Sequence, residues 1–161
     1  YGLTDSQWKG LIGHKIGFGG MERHVSDLVI WNSAMATEGN TVTVDKPCYS
    51  VDILPTLSNL MGVDYDSRLL MGRDILSTSS PLVGFSNHSW LTDKGRYNAV
   101  TGEFIPEEGV NVNDAYVQNM MDKVNSMFTY SAKILTYDYY GKVVSELNAP
   151  EKSDKDKDAP A

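Results

Sequence analysis

Apolar and polar positions along this chain follow several distinct spacings, and each spacing predicts a different element. Ile53, Leu54, Leu57, Leu60 and Met61 recur at helical intervals. They predict an amphipathic helix over about 50–61 with its apolar face turned to a core. Both ends of that helix are marked. Pro55 lacks a backbone N–H and suits a first turn, where donors are unpaired anyway. Ser50 or Asp52 can cap the start, and Gly62 can take the left-handed stop conformation.

A longer helical run follows later. Val117, Met120, Met121, Val124, Phe128, Ser131, Ile134 and Leu135 keep three–four spacing behind a cap at Asn113 or Asp114, with room for a break around 129–131. Near the start, Thr4 and Gln7 form a capping-box pattern and predict a short helix.

Strand patterns are of two kinds. Asp27-Leu-Val-Ile-Trp-Asn32 is a continuous β-rich run, the pattern of a strand buried on both faces of a parallel or mixed sheet. A shorter strand is expected at 41–44. From Pro81 onward the runs shorten. Strands at 82–86, 89–92, 96–99 and 103–105 are separated by turn residues at Asp93-Lys-Gly95 and Thr101-Gly102, which predicts an antiparallel meander. Residues 13–20 form a glycine-rich loop, 34–40 a further loop, and the alternating charges of 149–161 predict a disordered tail.

Composition narrows the class. The chain has 161 residues, 41% apolar, and suits one soluble globular domain. No apolar run approaches the ~20 residues of a membrane span. A formal charge of −7 with scattered lysines and arginines argues against nucleic acid as a partner. The single cysteine, Cys48, is read as a packing residue, and it excludes an intrachain disulfide. The opening Tyr1-Gly-Leu-Thr carries neither an initiator methionine nor a basic-then-apolar leader. A processed or truncated start is expected.

Two stretches carry a resemblance. Tyr49-Ser-Val-Asp-Ile-Leu-Pro-Thr-Leu-Ser-Asn-Leu-Met-Gly62, followed by Leu70-Met-Gly-Arg-Asp-Ile-Leu76, resembles the late part of sulfatase and alkaline-phosphatase superfamily catalytic domains. Val29-Ile-Trp-Asn-Ser33, Val44-Asp-Lys-Pro-Cys48, Arg68-Leu-Leu-Met-Gly-Arg-Asp74, Phe85-Ser-Asn87, Trp90-Leu-Thr-Asp-Lys-Gly-Arg-Tyr-Asn98 and Thr101-Gly-Glu-Phe104 resemble one branch. That branch is the lipoteichoic acid synthase-like phosphoglycerol transferases of Gram-positive bacteria, and the similarity runs from Tyr1 to about Val144.

The resemblance implies an α/β fold. The chain would be the C-terminal portion of an alkaline-phosphatase-like mixed-sheet domain, with a core strand and helix in 1–80, and a small antiparallel meander and long C-terminal helix in 81–148. It also implies chemistry in a parent enzyme anchored at the extracellular face of the membrane by upstream helices. There a threonine held against Mn²⁺ or Mg²⁺ attacks a phosphatidylglycerol-type lipid and passes phosphoglycerol to a growing polymer; the metal activates the hydroxyl and offsets phosphate charge. The nucleophile and a Gly-Asp-His segment with the last metal ligands would lie upstream of Tyr1. No catalytic residue and no metal ligand is therefore assigned in this chain, and no cofactor is expected in it. Its partner would be the rest of the catalytic domain, whose active site it supports from behind, and alone it is expected to be inactive. A sulfatase or phosphodiesterase of the same superfamily is one alternative, and a non-catalytic binding or structural module is another.

Two histidines are the candidate substrate-binding residues. His14 lies in the glycine-rich loop that would follow the metal ligands, and His24 precedes the apolar run at 27–32. Each has a second reading as an exposed loop residue. Glu22 and Arg23 beside them read as a phosphate-facing cluster or as solvated loop. His88 is weighed as structural. Asp64-Tyr-Asp66 resembles the opening of a calcium loop, but Leu69 and Ile75 occupy the positions that need glycine and an acid. Tyr137-Asp-Tyr-Tyr140 suggests carbohydrate binding, although aromatic packing at a helix end is the default reading.

Overall fold

The computed structural model describes residues 2–33, 39 and 41–149. It combines helices with a four-stranded antiparallel sheet, consistent with an α/β protein. The helices are α1 (Asp5–Ile12), α2 (Ile53–Leu60), α3 (Asp114–Thr136) and α4 (Tyr139–Leu147), and the strands are β1 (Val83–Gly84), β2 (Trp90–Thr92), β3 (Gly95–Asn98) and β4 (Glu103–Pro106). Of the expected loop at 34–40 only Gly39 is described, and the charged tail beyond 149 lies outside the described residues.

The sheet is the meander that the short strand patterns predict, in the order β1-β2-β3-β4. Its register pairs Trp90 with Tyr97 and Tyr97 with Phe104, so three aromatic residues from adjacent strands share one face. Trp90 is fully buried. Its ring lies 5.6 Å from Tyr97, 5.4 Å from Phe104 and 6.3 Å edge-on from Tyr116 of α3. The Tyr116 hydroxyl donates to Thr92 Oγ1 at 3.0 Å, which fixes the helix across the sheet. Asn113 caps α3 through its side chain, accepting from the Tyr116 N–H at 2.9 Å. Val124, fully buried about two turns further along α3, lies against Gly84 of β1.

The α3 stripe does not break at 129–131. The helix runs to Thr136, and the break falls at Asp138, which adopts the left-handed conformation with φ 47°. A Cβ at Gly141 would meet the Asp138 carboxylate, which would have to turn aside. The tyrosine cluster at this break is not packed away: Tyr137 is 63% exposed, and Tyr139 and Tyr140 are partly exposed. The reading of these rings as packed onto the domain holds only in part: Tyr139 donates to the Arg68 carbonyl at 3.1 Å, while Tyr137 stands mostly in solvent.

The helix at 50–61 forms, opening as a 3₁₀ turn at Ser50–Asp52 and continuing as α2. Gly62 ends it at φ 65°, with the Val63 N–H bonded to the Ser58 carbonyl at 2.8 Å and the Gly62 N–H to the Asn59 carbonyl at 3.2 Å. This is a Schellman ending. The buried side is not the predicted one. Leu54, Leu60 and Met61 are exposed, whereas Asp52, Pro55 and Thr56 are buried.

Asp52 does not cap α2 with its side chain. It accepts from the Tyr49 N–H at 3.1 Å and from the Arg73 N–H at 2.9 Å. Thr56 Oγ1 donates to the Asp52 carbonyl at 2.6 Å and accepts from the Ile75 N–H at 3.1 Å. The Asp52–Thr56 and Gly72–Ile75 stretches are thus one unit, with the second laid against the first. Gly72 permits the approach, since any side chain there would collide with the Val51 carbonyl.

The largest departure is at 27–32. The run expected as a strand buried on both faces forms no ladder, and Val29 and Trp31 are 83% and 75% exposed. The expected strand at 41–44 is also absent. A strand buried on both faces needs neighbouring strands and covering helices. Among the described residues the only sheet is the meander, whose strands pair with one another.

Candidate functional site

Thr4 caps α1 through a reciprocal bond with Gln7, and Gly13 ends that helix with its N–H on the Lys9 carbonyl at 2.9 Å. The chain then enters the glycine-rich loop at His14 and returns through a 3₁₀ turn at Phe18–His24. That return brings Glu22 back to His14. Glu22 Oε1 lies 2.6 Å from His14 Nε2, and Glu22 Oε2 accepts from the Gly17 N–H at 2.6 Å. Arg23 pairs with Asp5 of α1. The loop is closed by charge-assisted contacts, which are stronger than neutral ones.

These contacts set the ionisation. The Glu22 hydrogen bond, and then its charge, hold the His14 imidazole above its ordinary value of 6.5. The Gly17 N–H, and then His14, hold the Glu22 carboxyl below its ordinary value of 4.5. His14 is exposed and Glu22 half-buried. The pair is an imidazole–carboxylate couple at the protein surface.

His24 is placed elsewhere. Its ring lies 6.0 Å from Phe85 at the end of the meander. Among the described residues no hydrogen bond, ion pair or ring contact joins His14 to His24. A cavity of about 890 Å³ adjoins the loop, bordered by Met21, Val25 and Phe85 together with Lys46, Asp93 and Arg96. Neither histidine lines it; the loop contributes Met21 and Val25 instead. His88 is structural, with its ring stacked at 4.2 Å on Phe128 and its Nδ1 2.7 Å from Asn125 Oδ1.

Sequence reasoning missed Arg73, whose N–H meets Asp52 and whose Nη2 donates to the Pro47 carbonyl at 2.9 Å. The signal was present, since Arg73 stands inside the second patterned stretch. Cys48 is half-buried. No three His, Cys, Asp or Glu side chains among the described residues gather so as to hold a metal ion. No described helix is long and apolar enough to cross a membrane. Comparison with family models, with curated proteins and with solved structures gives no match.

Proposed function

We propose that this chain is the C-terminal portion of an extracellular phosphoglycerol transferase of the lipoteichoic acid synthase type. It supports a catalytic centre whose nucleophile and Mn²⁺ or Mg²⁺ ligands lie in upstream sequence. One observation supports this reading more than any other: the run 27–32 is rich in strand-forming residues yet lies outside the sheet, with Val29 and Trp31 exposed. Such a run is costly to leave in water and is built to lie between other strands. The exposed apolar face of α2 (Leu54, Leu60, Met61) repeats the point on a second element. In the parent the partner would be the remainder of the catalytic domain, and the substrate a phosphatidylglycerol-type lipid.

Reading the coding sequence upstream of the Tyr1 codon tests this directly. The expected result is an open frame with an Asp-His pair immediately before Tyr1 and a threonine nucleophile further upstream. A stop codon, or a signal peptide joined directly to Tyr1, overturns it in favour of a free-standing module. A formylglycine-type cysteine or serine at the nucleophile position turns the reading towards a sulfatase. Tight one-to-one binding of Mn²⁺ by the chain alone, seen by calorimetry, would also count against it.

A further inference from the structure

A second cavity, of about 650 Å³, has walls from the loop at 68–73, the last turns of α3 and the start of α4. That volume suits a ligand of one or two rings. Its charge runs against the rest of the molecule. In a chain of net charge −7, this cavity gathers Arg68, Arg73 and Lys133 around the one carboxylate of Asp52.

Arg68 is already neutralised by Asp66 at 2.7 Å and Glu146 at 2.8 Å. Asp52 is turned to the backbone N–H groups of Tyr49 and Arg73. Arg73 and Lys133 have no carboxylate partner among the described residues. Nη1 of Arg73 is buried with no acceptor among the described residues. Beside Asp52, the cavity therefore holds two cationic side chains that form no ion pair among the described residues, and one of them has an unmet hydrogen bond.

The aromatic wall is the second observation. Tyr130, Tyr137 and Tyr140 line the cavity, and all three are substantially exposed. Their hydroxyls bond to no described residue, while Tyr140 meets Tyr139 edge-on at 5.7 Å. An exposed tyrosine offers a flat apolar face with a polar edge. That combination matches a sugar ring, whose C–H face is apolar and whose rim carries hydroxyls. Guanidinium and ammonium groups beside it match a phosphate or carboxylate.

We propose that this cavity binds an acidic carbohydrate, with its ring against the tyrosines and its anionic group towards Arg73 and Lys133. Phosphorylated and carboxylated sugars share this chemistry. The proposal is independent of the transferase reading, because it uses no metal and no residue outside this chain.

The test is a titration of the whole chain at low ionic strength, followed by amide NMR shifts over 130–140. The probes are glucose 6-phosphate, glucuronate, glucose and inorganic phosphate. One or both acidic sugars should shift these amides at millimolar concentration, with glucose and phosphate at least about tenfold weaker. Binding of only one acidic sugar identifies which anion the site takes. K133Q and Y137A change exposed residues, so the fold should persist with an unchanged near-ultraviolet circular dichroism spectrum. Each should weaken binding severalfold. No shift at about 20 mM of either acidic sugar overturns the proposal. So does glucose binding as tightly, inorganic phosphate binding as tightly (an adventitious ion only), or unaltered affinity in both variants.

Discussion

Two tryptophans separate the molecule into regions with different needs. Trp90 is fully buried among Tyr97, Phe104 and Tyr116. Trp31, in an equally strand-like run, is 75% exposed. The difference lies in where each run finds its partners. β2 pairs with β3 across the two residues Asp93 and Lys94, and β3 pairs with β4 across 99–102. Those partners are local, so the meander closes on itself with α3 as its cover. The run 27–32 has a composition suited to neighbouring strands on both edges, and the sheet of the described residues does not include it. Local pairing lets the meander close on itself, whereas the proposed function gives the run 27–32 non-local partners.

The sharpest way to break this comparison is Trp90→Ala. Removing a fully buried indole should cost about 4 kcal/mol, measured as a lowered urea midpoint and lost near-ultraviolet signal from the meander. A loss below about 1 kcal/mol would mean that the ring is not the centre of a packed unit. Next comes Thr56→Val, which keeps the shape but leaves the Ile75 N–H unpaired. It should cost about 2 kcal/mol in the same assay. Trp31→Ser should change the stability of this chain by no more than about 0.5 kcal/mol, since the ring is mostly solvated. In a longer protein carrying the proposed upstream domain, the same substitution should become clearly destabilising. Equal effects in both backgrounds would remove the contrast between the two regions.

The smallest expected effect concerns His14 and Glu22. His14 titrates above its ordinary value, so its contribution is fully present below 6.5 and is lost as pH rises through the higher folded value. Glu22 titrates below its ordinary value, so its contribution is present above 4.5 and fades as pH falls through the lower folded value. The loop contact is therefore firmest between those two ordinary values, where both groups are charged. An NMR titration of the His14 ring should show a midpoint above 6.5, and Glu22→Gln should return it towards the ordinary value. An unmoved midpoint would show that the pair does not persist in solution.

Much of the local architecture was legible in residues. Thr4 with Gln7, Asn113, and Gly62 mark helix ends through hydrogen bonds that span only a few positions. The meander was legible because its turns lie in the sequence between the strands they join. The buried side of α2 was not. Periodicity identifies residues that share a face, but it cannot say whether another surface meets that face. The leucine face was expected inside, and Asp52 with Thr56 took its place because a loop about twenty residues later returns its N–H groups to them. The candidate site divided in the same way. The closeness of Glu22 and His14 follows from a short loop, while the separation of His14 from His24 depends on where the meander sets Phe85.

Asp138 carries a consequence of its own. Its left-handed backbone fixes the direction in which α4 leaves α3, and so decides which wall Tyr139 and Tyr140 supply. Residue identity and site geometry are thereby uncoupled at this point. A sequence could keep every tyrosine, arginine and lysine of the cavity and still lose its shape through one inserted residue at 137–138. Another could replace a tyrosine and keep the outline intact. For this part of the molecule, the spacing between two helices is a better marker of shared function than the letters along them.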